Sequence, residues 1–482
     1  MIAAKNPPIS TNEILQKIQS VLDELATESS SLFQKPFSKE HWMRLIDAGI
    51  MMSCIPSEYG GMLSTVTTFK LLSKLSYFAL PLSLRVMIIQ LLFTSILVKH
   101  GNSETQREIF PKLMSGDIGG IAITEPNYGS DALNMQTGYH NTSQGYVVSG
   151  TKHWQGLSGE TEWFLIAARE IKENQKAAGN IDFFLHEMKL GGMEVIEKYP
   201  TPGLLMMQYG KNKIDVNIPH HRKMIFPSGK RNPLLMDVFN TARLAFPAMG
   251  LGFLERIYEE AQAYTHSRQI NRKPLSEYDL AQFRVEHLKI WRDLCLMLFE
   301  HSQQTIDVYT SVADETLLAD VYKVVVSDLM LKASHSLQQL HGGMGYRQFG
   351  FPERAFADSR PFQILDGSND ILWVQIAWLV MKAMRLSQAH DFRDFLGSFE
   401  PTRLVSQDLV EDYPIINPDY EMPQRQLLKL GQFLAKAIAL NCIKEVQESH
   451  LLTEDDINEI TLLLNFEMKT ILLSMSSGCR GL

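Results

Sequence analysis

The chain has 482 residues, 45% hydrophobic and 21% charged, with a formal net charge of −8; that is enough for two to four domains with a large core, and it argues against a general nucleic-acid-binding surface. The four cysteines, Cys54, Cys295, Cys442 and Cys479, lie far apart with no C-x-x-C pair, so neither a metal site nor a disulfide framework is expected and a reducing, cytoplasmic setting is. Met1–Pro8 has no apolar h-region and is not Arg-rich, which predicts no secretory or transit signal.

In chain order, Asn12–Leu25 carries apolar residues at helical spacing, and Ser38 opens a second helix that Gly49 can end. Ile55–Gly61 is a turn-rich link, and Thr67 to about Leu113 reads as further buried helices. Within them Leu82–Val98 is the most apolar run, but with Arg85 and Gln90 inside it and little length it predicts a buried helix rather than a membrane span. Residues 1–118 are thus expected to be an N-terminal helical domain. Over 119–230 the period becomes two, with short runs at Gly145–Ser149, Trp163–Ala168, Ile181–Leu185 and Lys213–Val216, which predicts a small antiparallel β domain with at most one helix, Ala167–Lys176.

Helical periodicity returns over 231–391, in Phe239–Arg268, Asp279–Tyr309 and Glu315–Leu340, as a helical bundle. His341-Gly-Gly-Met-Gly-Tyr346 is glycine-rich but follows a helix rather than a strand, so a Rossmann reading fails on context. The remainder, 392–482, reads as a linker, Phe392–Pro423, and a helical extension: Leu427, Leu430, Leu434, Ile438 and Cys442 share a face, and Thr453 with Asp456 is placed to start a last helix. Cys479–Leu482 has C-a-a-X length, with Arg480 and Gly481 poor in the aliphatic positions. The fold class expected is α+β.

Chemistry concentrates in Ile121–Asp131. Ile121–Thr124 alternates like a strand, Glu125-Pro126 turns it, and Asn127-Tyr-Gly129-Ser130-Asp131 tolerates positive φ and can aim backbone N–H groups at an anion. Trp154 ends a second strand-like run with a flat apolar face. Strand, anion-friendly turn and Trp platform suit a flavin; they also suit an ordinary loop beside a core Trp.

The pair T-E-P-N-x-G-S-D and G-x-K-x-W resembles the signature of the acyl-CoA dehydrogenase family, FAD enzymes of helical–β–helical order, over residues 10 to 389 and not over the tail. The resemblance implies FAD held by the backbone of Ile121 and Ile123, by Thr124, Gly129 and Ser130, and by Trp154. At Gly156 the family's Thr hydroxyl is missing. Arg268, Gln339, Gly342 and Gly343 would meet the cofactor of a neighbouring subunit in a homodimer or homotetramer, although Asn271 and Arg272 replace the family's Phe and Gly there. Ser368 and Asp370 would serve the adenosine side. Phe239–Arg243 resembles F-D-x-x-R, with Asn240 for Asp; Asn240, Arg243, Ser130 and Gly367 would contact the thioester substrate.

The family's base loop, Y-E-G-T-S-E-I, reads Leu365-Asp366-Gly-Ser-Asn-Asp-Ile371 here, which puts Asp366 at the base position, one methylene short of Glu. Some relatives instead place the Glu on the helix before the Arg; that position is Ala242. The activity implied is α,β-dehydrogenation of an acyl-CoA or acyl-carrier-protein thioester, with an electron-transferring flavoprotein or another acceptor. Two rivals stand beside it: a flavin oxidase of another acidic C–H compound such as a nitroalkane, since nitroalkane oxidases use an Asp in this loop, and a catalytically degenerate scaffold. The apolar tail is expected to cover the bundle or a subunit interface, with a partner protein or a membrane surface as its alternative.

Overall fold

A computed structural model describes residues 10–28, 30–171, 177–226, 232–406 and 421–476. The readings on Met1–Pro8 and Cys479–Leu482, and parts of those on 167–176, 392–423 and the end of the β region, fall outside the described residues. The chain divides into two units: one is formed up to Ala245 together with Asp307–Asp314, the other from Phe246–Ile306 and from Glu315 onward.

The first unit opens with α1 (Thr11–Ala26), whose Ser10 hydroxyl accepts from the Glu13 N–H, and α2 (Lys39–Asp47), capped in the same way by Ser38. Gly49, at φ 92°, ends that segment in the left-handed region that glycine enters freely. Next come α3 (Thr65–Phe78) and α4 (Leu80–Met87), which runs through a π-helical turn, Ile88–Thr94, into α5 (Ser95–His100); α6 is Ser103–Met114. Leu80–His100 is long and apolar enough to cross a bilayer, yet 89% of its most apolar window is buried, as in the core helix of a globular unit.

The sheet contains β1 (Gly119–Ala122), β2 (Gly138–Thr142), β3 (Gly145–Gly156), β4 (Trp163–Ile171), β5 (Ala177–Glu187), β6 (Met193–Tyr199) and β7 (Tyr209–Ile218), in the order β1-β4-β2-β3-β7-β6 with β5 on β4. Most pairs are antiparallel, but β4 runs parallel to β1 and β2. The helix expected over Ala167–Lys176 is corrected: residues through Ile171 belong to β4, because Trp163–Ala168 are all buried and pair with β5 as a continuous apolar strand. Phe164, Ile166, Phe184, Val148, Ile214 and Val216 form the centre of this core.

The pattern expected as one helix over Phe239–Arg268 is two: α7 (Pro233–Leu244), packed in the first unit, and α8 (Phe246–Ser267) in the second. Pro247 lacks the N–H that would continue α7 by bonding the Arg243 carbonyl, and its ring crowds that carbonyl, so it is accommodated in the first turn of α8 while Ala245 closes α7. The second unit continues with α9 (Asp279–Thr305), α10 (Thr316–His341), α11 (Phe351–Ser359), α12 (Asn369–Ser387), α13 (Phe392–Ser398), α14 (Gln424–Val446) and α15 (Glu454–Ser476). Thus the stretch expected as linker starts with a short helix, fixed by the Asp391 carboxylate accepting the Arg393 and Asp394 N–H groups.

All five residues assigned to one face of α14 are buried, where the helix packs on α12, α9 and α10. The last helix begins with a reciprocal cap: the Asp456 carboxylate accepts the Thr453 N–H at 3.1 Å, and the Thr453 hydroxyl accepts the Asp456 N–H at 3.2 Å. The tail is therefore a helical hairpin against its own bundle. Lys289–Asp456, Lys332–Glu467 (3.0 Å) and His301–Glu445 (2.8 Å) link it there.

Candidate active site

In the first unit β1 ends at Ala122, and Ile123–Thr124 continue beside β3: the His153 N–H donates to the Thr124 carbonyl at 2.9 Å. The register of β3 shifts between His153 and Gln155, and Trp154 sits on that bulge at φ 58°. Its indole is 52% exposed and leans on Tyr199 with ring centroids 4.6 Å apart. A large aromatic side chain held outward by a backbone in a sparsely populated region is a costly arrangement for a fold to keep.

The turn after Thr124 is open. Asn127 adopts φ 70°, Gly129 and Ser130 are exposed, and a Cβ on Gly129 would meet nothing within 4 Å. Beneath it lies a pair that sequence reading did not assign a role. Lys152, wholly buried, donates to the Ile123 carbonyl at 2.8 Å and to the Glu125 carboxylate at 2.9 Å; Glu125 also accepts the Gln136 and Thr137 N–H groups. Burial pushes the Lys152 ammonium down to about 8, against the opposing pull of Glu125. Burial raises the Glu125 carboxyl, but Lys152 and the donors to it outweigh that and leave it below the usual range. The Glu of T-E-P and the Lys of G-x-K-x-W are thus one ion pair that ties the strand end to its turn.

Gly156, the last residue of β3, has Ile88 of the π turn against it: a Cβ there would lie 3.0 Å from the Ile88 Cδ1. A side chain at this position would therefore require Ile88 to move. On α7, Asn240 is fully buried and its Nδ2 donates to the Val312 carbonyl at 2.9 Å, while Arg243 lies over the Phe239 ring at 5.3 Å. Neither is a helix-surface residue. Asp237, one turn earlier, receives Lys99 at 2.9 Å, His100 at 2.7 Å and the Val312 N–H at 2.7 Å, which anchors α7 within the first unit.

In the second unit Asp366 and Gly367 take φ 53° and 95° in succession, just before Ser368, which occupies the N-cap position of α12 without a side-chain cap bond. Asp is among the few residues that tolerate the left-handed region, so the shortened carboxylate arm comes with a backbone its own residue type accommodates. Ala242, the alternative base position, is buried. Asp370 is exposed in the first turn of α12, and Ser368 is partly buried.

Inside the loop, Lys323 of α10 is wholly buried and donates to the Gly367 carbonyl at 2.7 Å and the Asn369 Oδ1 at 2.6 Å. Asn369 in turn donates to the Ser327 hydroxyl and the Asp328 carboxylate, both at 3.0 Å. Sequence reading passed over Lys323 and Asn369; a lysine inside the apolar run Tyr322-Lys-Val-Val-Val326 was the available signal.

Residues more than seventy positions apart meet at one end of this unit. The Tyr264 and His341 rings stack at 3.7 Å, which joins the end of α8 to the end of α10. Arg268 lies exposed beyond the first, followed by a two-strand hairpin whose turn residues Asn271 and Arg272 are both at positive φ (49° and 66°), the conformation a tight hairpin requires. Gln339, Gly342 and Gly343 lie exposed at the second, and a Cβ on either glycine would meet nothing within 4 Å.

The helical, sheet and helical segments, in that order, define the class. Family models described as the acyl-CoA dehydrogenase N-terminal, middle and C-terminal domains match residues 13–117, 120–215 and 233–380. The chain belongs to the acyl-CoA dehydrogenase family, and it is an oxidoreductase-family enzyme whose relatives carry the names of acyl-CoA-dependent activities.

It is similar to a 3-sulfinopropanoyl-CoA desulfinase of Advenella mimigardefordensis, 24% identical over 77% of this chain and 92% of the relative. A probable acyl-CoA dehydrogenase of Bacillus subtilis is 25% identical over 83% of this chain and 69% of its own length. Among solved structures, an acyl-CoA dehydrogenase from Bacillus anthracis complexed with FAD superposes with a TM-score of 0.79 at 17% identity, over 98% of this chain and 90% of that one. That coverage takes in the C-terminal hairpin, so likeness of fold extends past the point where the sequence motifs stop.

Proposed function

We propose that the chain is an FAD-dependent dehydrogenase of an acyl-CoA or acyl-carrier-protein thioester. The observation that carries this reading is Trp154. A half-exposed indole on a strained bulge, flanked by Thr124 and an open turn, is wasteful as structure and fits a flat apolar ligand with a phosphate tail. Thr124, Trp154 and the backbone of Ile121 and Ile123 would hold the ring system, with Gly129 and Ser130 toward the phosphates. When bound, FAD supplies the acceptor for the hydride that leaves Cβ.

The chain's own residues supply the rest. Asp366 takes the proton from Cα, and its backbone N–H donates to the thioester carbonyl, which acidifies that proton. Gly367 leaves room for the reacting carbons, and Arg243 offers a cation to the pantetheine arm. Asn240, spent on Val312, serves as the tie that holds Arg243's helix. Arg268, Gln339, Gly342 and Gly343 would complete the cofactor site of a second copy, and Ser368 and Asp370 would serve the adenosine side, in a homodimer or homotetramer that passes electrons to an electron-transferring flavoprotein or to O₂.

The test is flavin bleaching by butyryl-CoA, octanoyl-CoA and palmitoyl-CoA under anaerobic conditions. Asp366→Asn keeps the shape of the side chain and removes the proton acceptor; it should slow bleaching by about a hundredfold or more while FAD content and acyl-CoA binding persist. Bleaching at the wild-type rate would remove Asp366 from the mechanism. The Advenella relative motivates a second reading, loss of a β-sulfinate group, so 3-sulfinopropanoyl-CoA belongs in the panel with sulfite release as its readout. A nitroalkane that bleaches the flavin where no thioester does would favour the oxidase, and a colourless protein the scaffold.

A further inference from the structure

The loop that carries Asp366 is held in an unusual backbone conformation by one buried cation. Asp366 and Gly367 are both left-handed, at φ 53° and 95°. Asp tolerates that region better than most side chains, but two left-handed residues in succession are kept only where surrounding contacts favour them. Two of the contacts that do so come from Lys323: its ammonium donates to the carbonyl of Gly367 at 2.7 Å and to the Oδ1 of Asn369 at 2.6 Å, so it grips the chain on the residue after Asp366 and again at the first residue of α12.

Both bonds are charge-assisted and sealed from solvent, since Lys323 is 0% and Asn369 4% exposed. The second grip is itself braced. Asn369 donates at 3.0 Å to Ser327 and to Asp328, and Asp328 also accepts from Gln363, which lies just ahead of the loop, at 2.7 Å. Burial, the dominant influence on Asp328, raises its carboxyl above the usual range in spite of these donors and of Lys332 and Lys436. The network therefore reaches the loop from before it, at Gln363, and from after it, at Asn369, which is its hub; Lys323 joins that hub to the Gly367 carbonyl.

We propose that Lys323 is a positioning residue for the reaction. By fixing the Gly367 carbonyl and the start of α12, it sets where the short Asp366 carboxylate stands. This rests on the reading of Asp366 as the base. A one-methylene-shorter arm has no slack of its own, so the position of the loop backbone decides whether it reaches the α-proton, and a misplacement of about 1 Å costs about a hundredfold in rate.

The experiment uses the full-length holoprotein and the member of the butyryl-, octanoyl- and palmitoyl-CoA panel that bleaches the wild-type flavin fastest. Lys323→Met should slow flavin reduction by about tenfold or more, with acyl-CoA dissociation constant and FAD content nearly unchanged. The longer arm of Asp366→Glu should recover part of that loss in the Lys323→Met background, though it gives no gain, or a loss, in the wild-type background. That coupling is a readout a merely structural lysine would not move. Should Lys323→Met fail to fold, Lys323→Gln, which keeps a donor without the charge, takes its place with the same expectations.

A wild-type reduction rate in a folded Lys323 variant overturns the proposal. So does a loss that appears only as lower FAD content or a lower melting temperature, or one that Asp366→Glu leaves uncoupled. Asp366→Asn run in parallel separates the two failures: if it still reduces flavin at the wild-type rate, the base reading falls and Lys323 with it; if it is inactive while Lys323→Met is not, only the positioning role is lost.

Discussion

Lys152 and Glu125 illustrate what a single buried pair does here. Their side chains are 0% and 4% exposed, and the lysine holds the Ile123 carbonyl from below, so the strand end proposed to meet the flavin is fixed by charge and not only by sheet hydrogen bonds. Removing one partner of such a pair strands the other. Lys152→Met should lower stability at neutral pH by about 3–5 kcal/mol, read from the urea midpoint. The pH dependence follows from the sign of the Glu125 shift. Its folded value is depressed, so its stabilisation is present above the unfolded value of about 4.3 and is lost as pH falls through the folded one. In the variant Glu125 has lost its cation and no longer resists protonation. The gap between wild type and variant should therefore narrow as pH falls below about 4; a gap that stays constant into acid would show that the pair is not what the substitution broke.

At the scale of elements, the C-terminal hairpin acts through its close approach to the bundle. Gly431 lies where α14 crosses α12, and a Cβ there would stand 1.8 Å from the Trp373 carbonyl oxygen and 2.5 Å from its carbon. Those are backbone atoms and cannot swing away. Helix propensity alone predicts that Gly431→Ala gains about 1 kcal/mol; the contact predicts a loss of about 3 kcal/mol or more, because the two helices must separate. The sign of the change in melting temperature decides between them. The outer face of α15 is a separate matter: Leu462, Phe466 and Leu473 are 56–70% exposed. Asp456 and Glu467, by contrast, hold the inner side of that helix to Lys289 and to Lys332 and Lys436.

For the whole molecule, the proposal that cofactor sites are shared between copies makes assembly and cofactor retention one property. Arg268 is exposed at the end of α8, and beyond α10 the neighbouring loop exposes Met344 (57%), Tyr346 (83%) and Phe349 (43%). Arg268→Ala should lower FAD retention and weaken the oligomer together, measured by absorbance ratio and sedimentation at matched protein concentration. A monomer with stoichiometric FAD would break the link between the two.

Local sequence signals were enough for the elements with clear periodicity or caps. Ser38 with Gly49, the apolar face Leu427 to Cys442, and the Thr453–Asp456 box all act over a few residues, through backbone donors and side-chain spacing that neighbouring letters specify. The motif letters likewise marked Trp154 and Asp366, because the proposed flavin platform and the proposed base loop each sit on a short contiguous stretch. What the letters left open depends on partners distant in the chain. Ala167–Ile171 has a helix-compatible composition and became strand only because β5 pairs with it. Whether Lys152 and Lys323 were solvated or buried was settled by partners up to forty-six residues away, Glu125 and Asn369, that make a buried ammonium tolerable. Trp154's outward pose came from a bulge in the β3–β7 register, and the split of Phe239–Arg268 into two helices from a proline placed where one packed unit gives way to the next. Short-range hydrogen bonding and periodicity are written in adjacent residues; burial of charge, strand pairing and backbone strain are stable only once the rest of the fold supplies the other half of each contact.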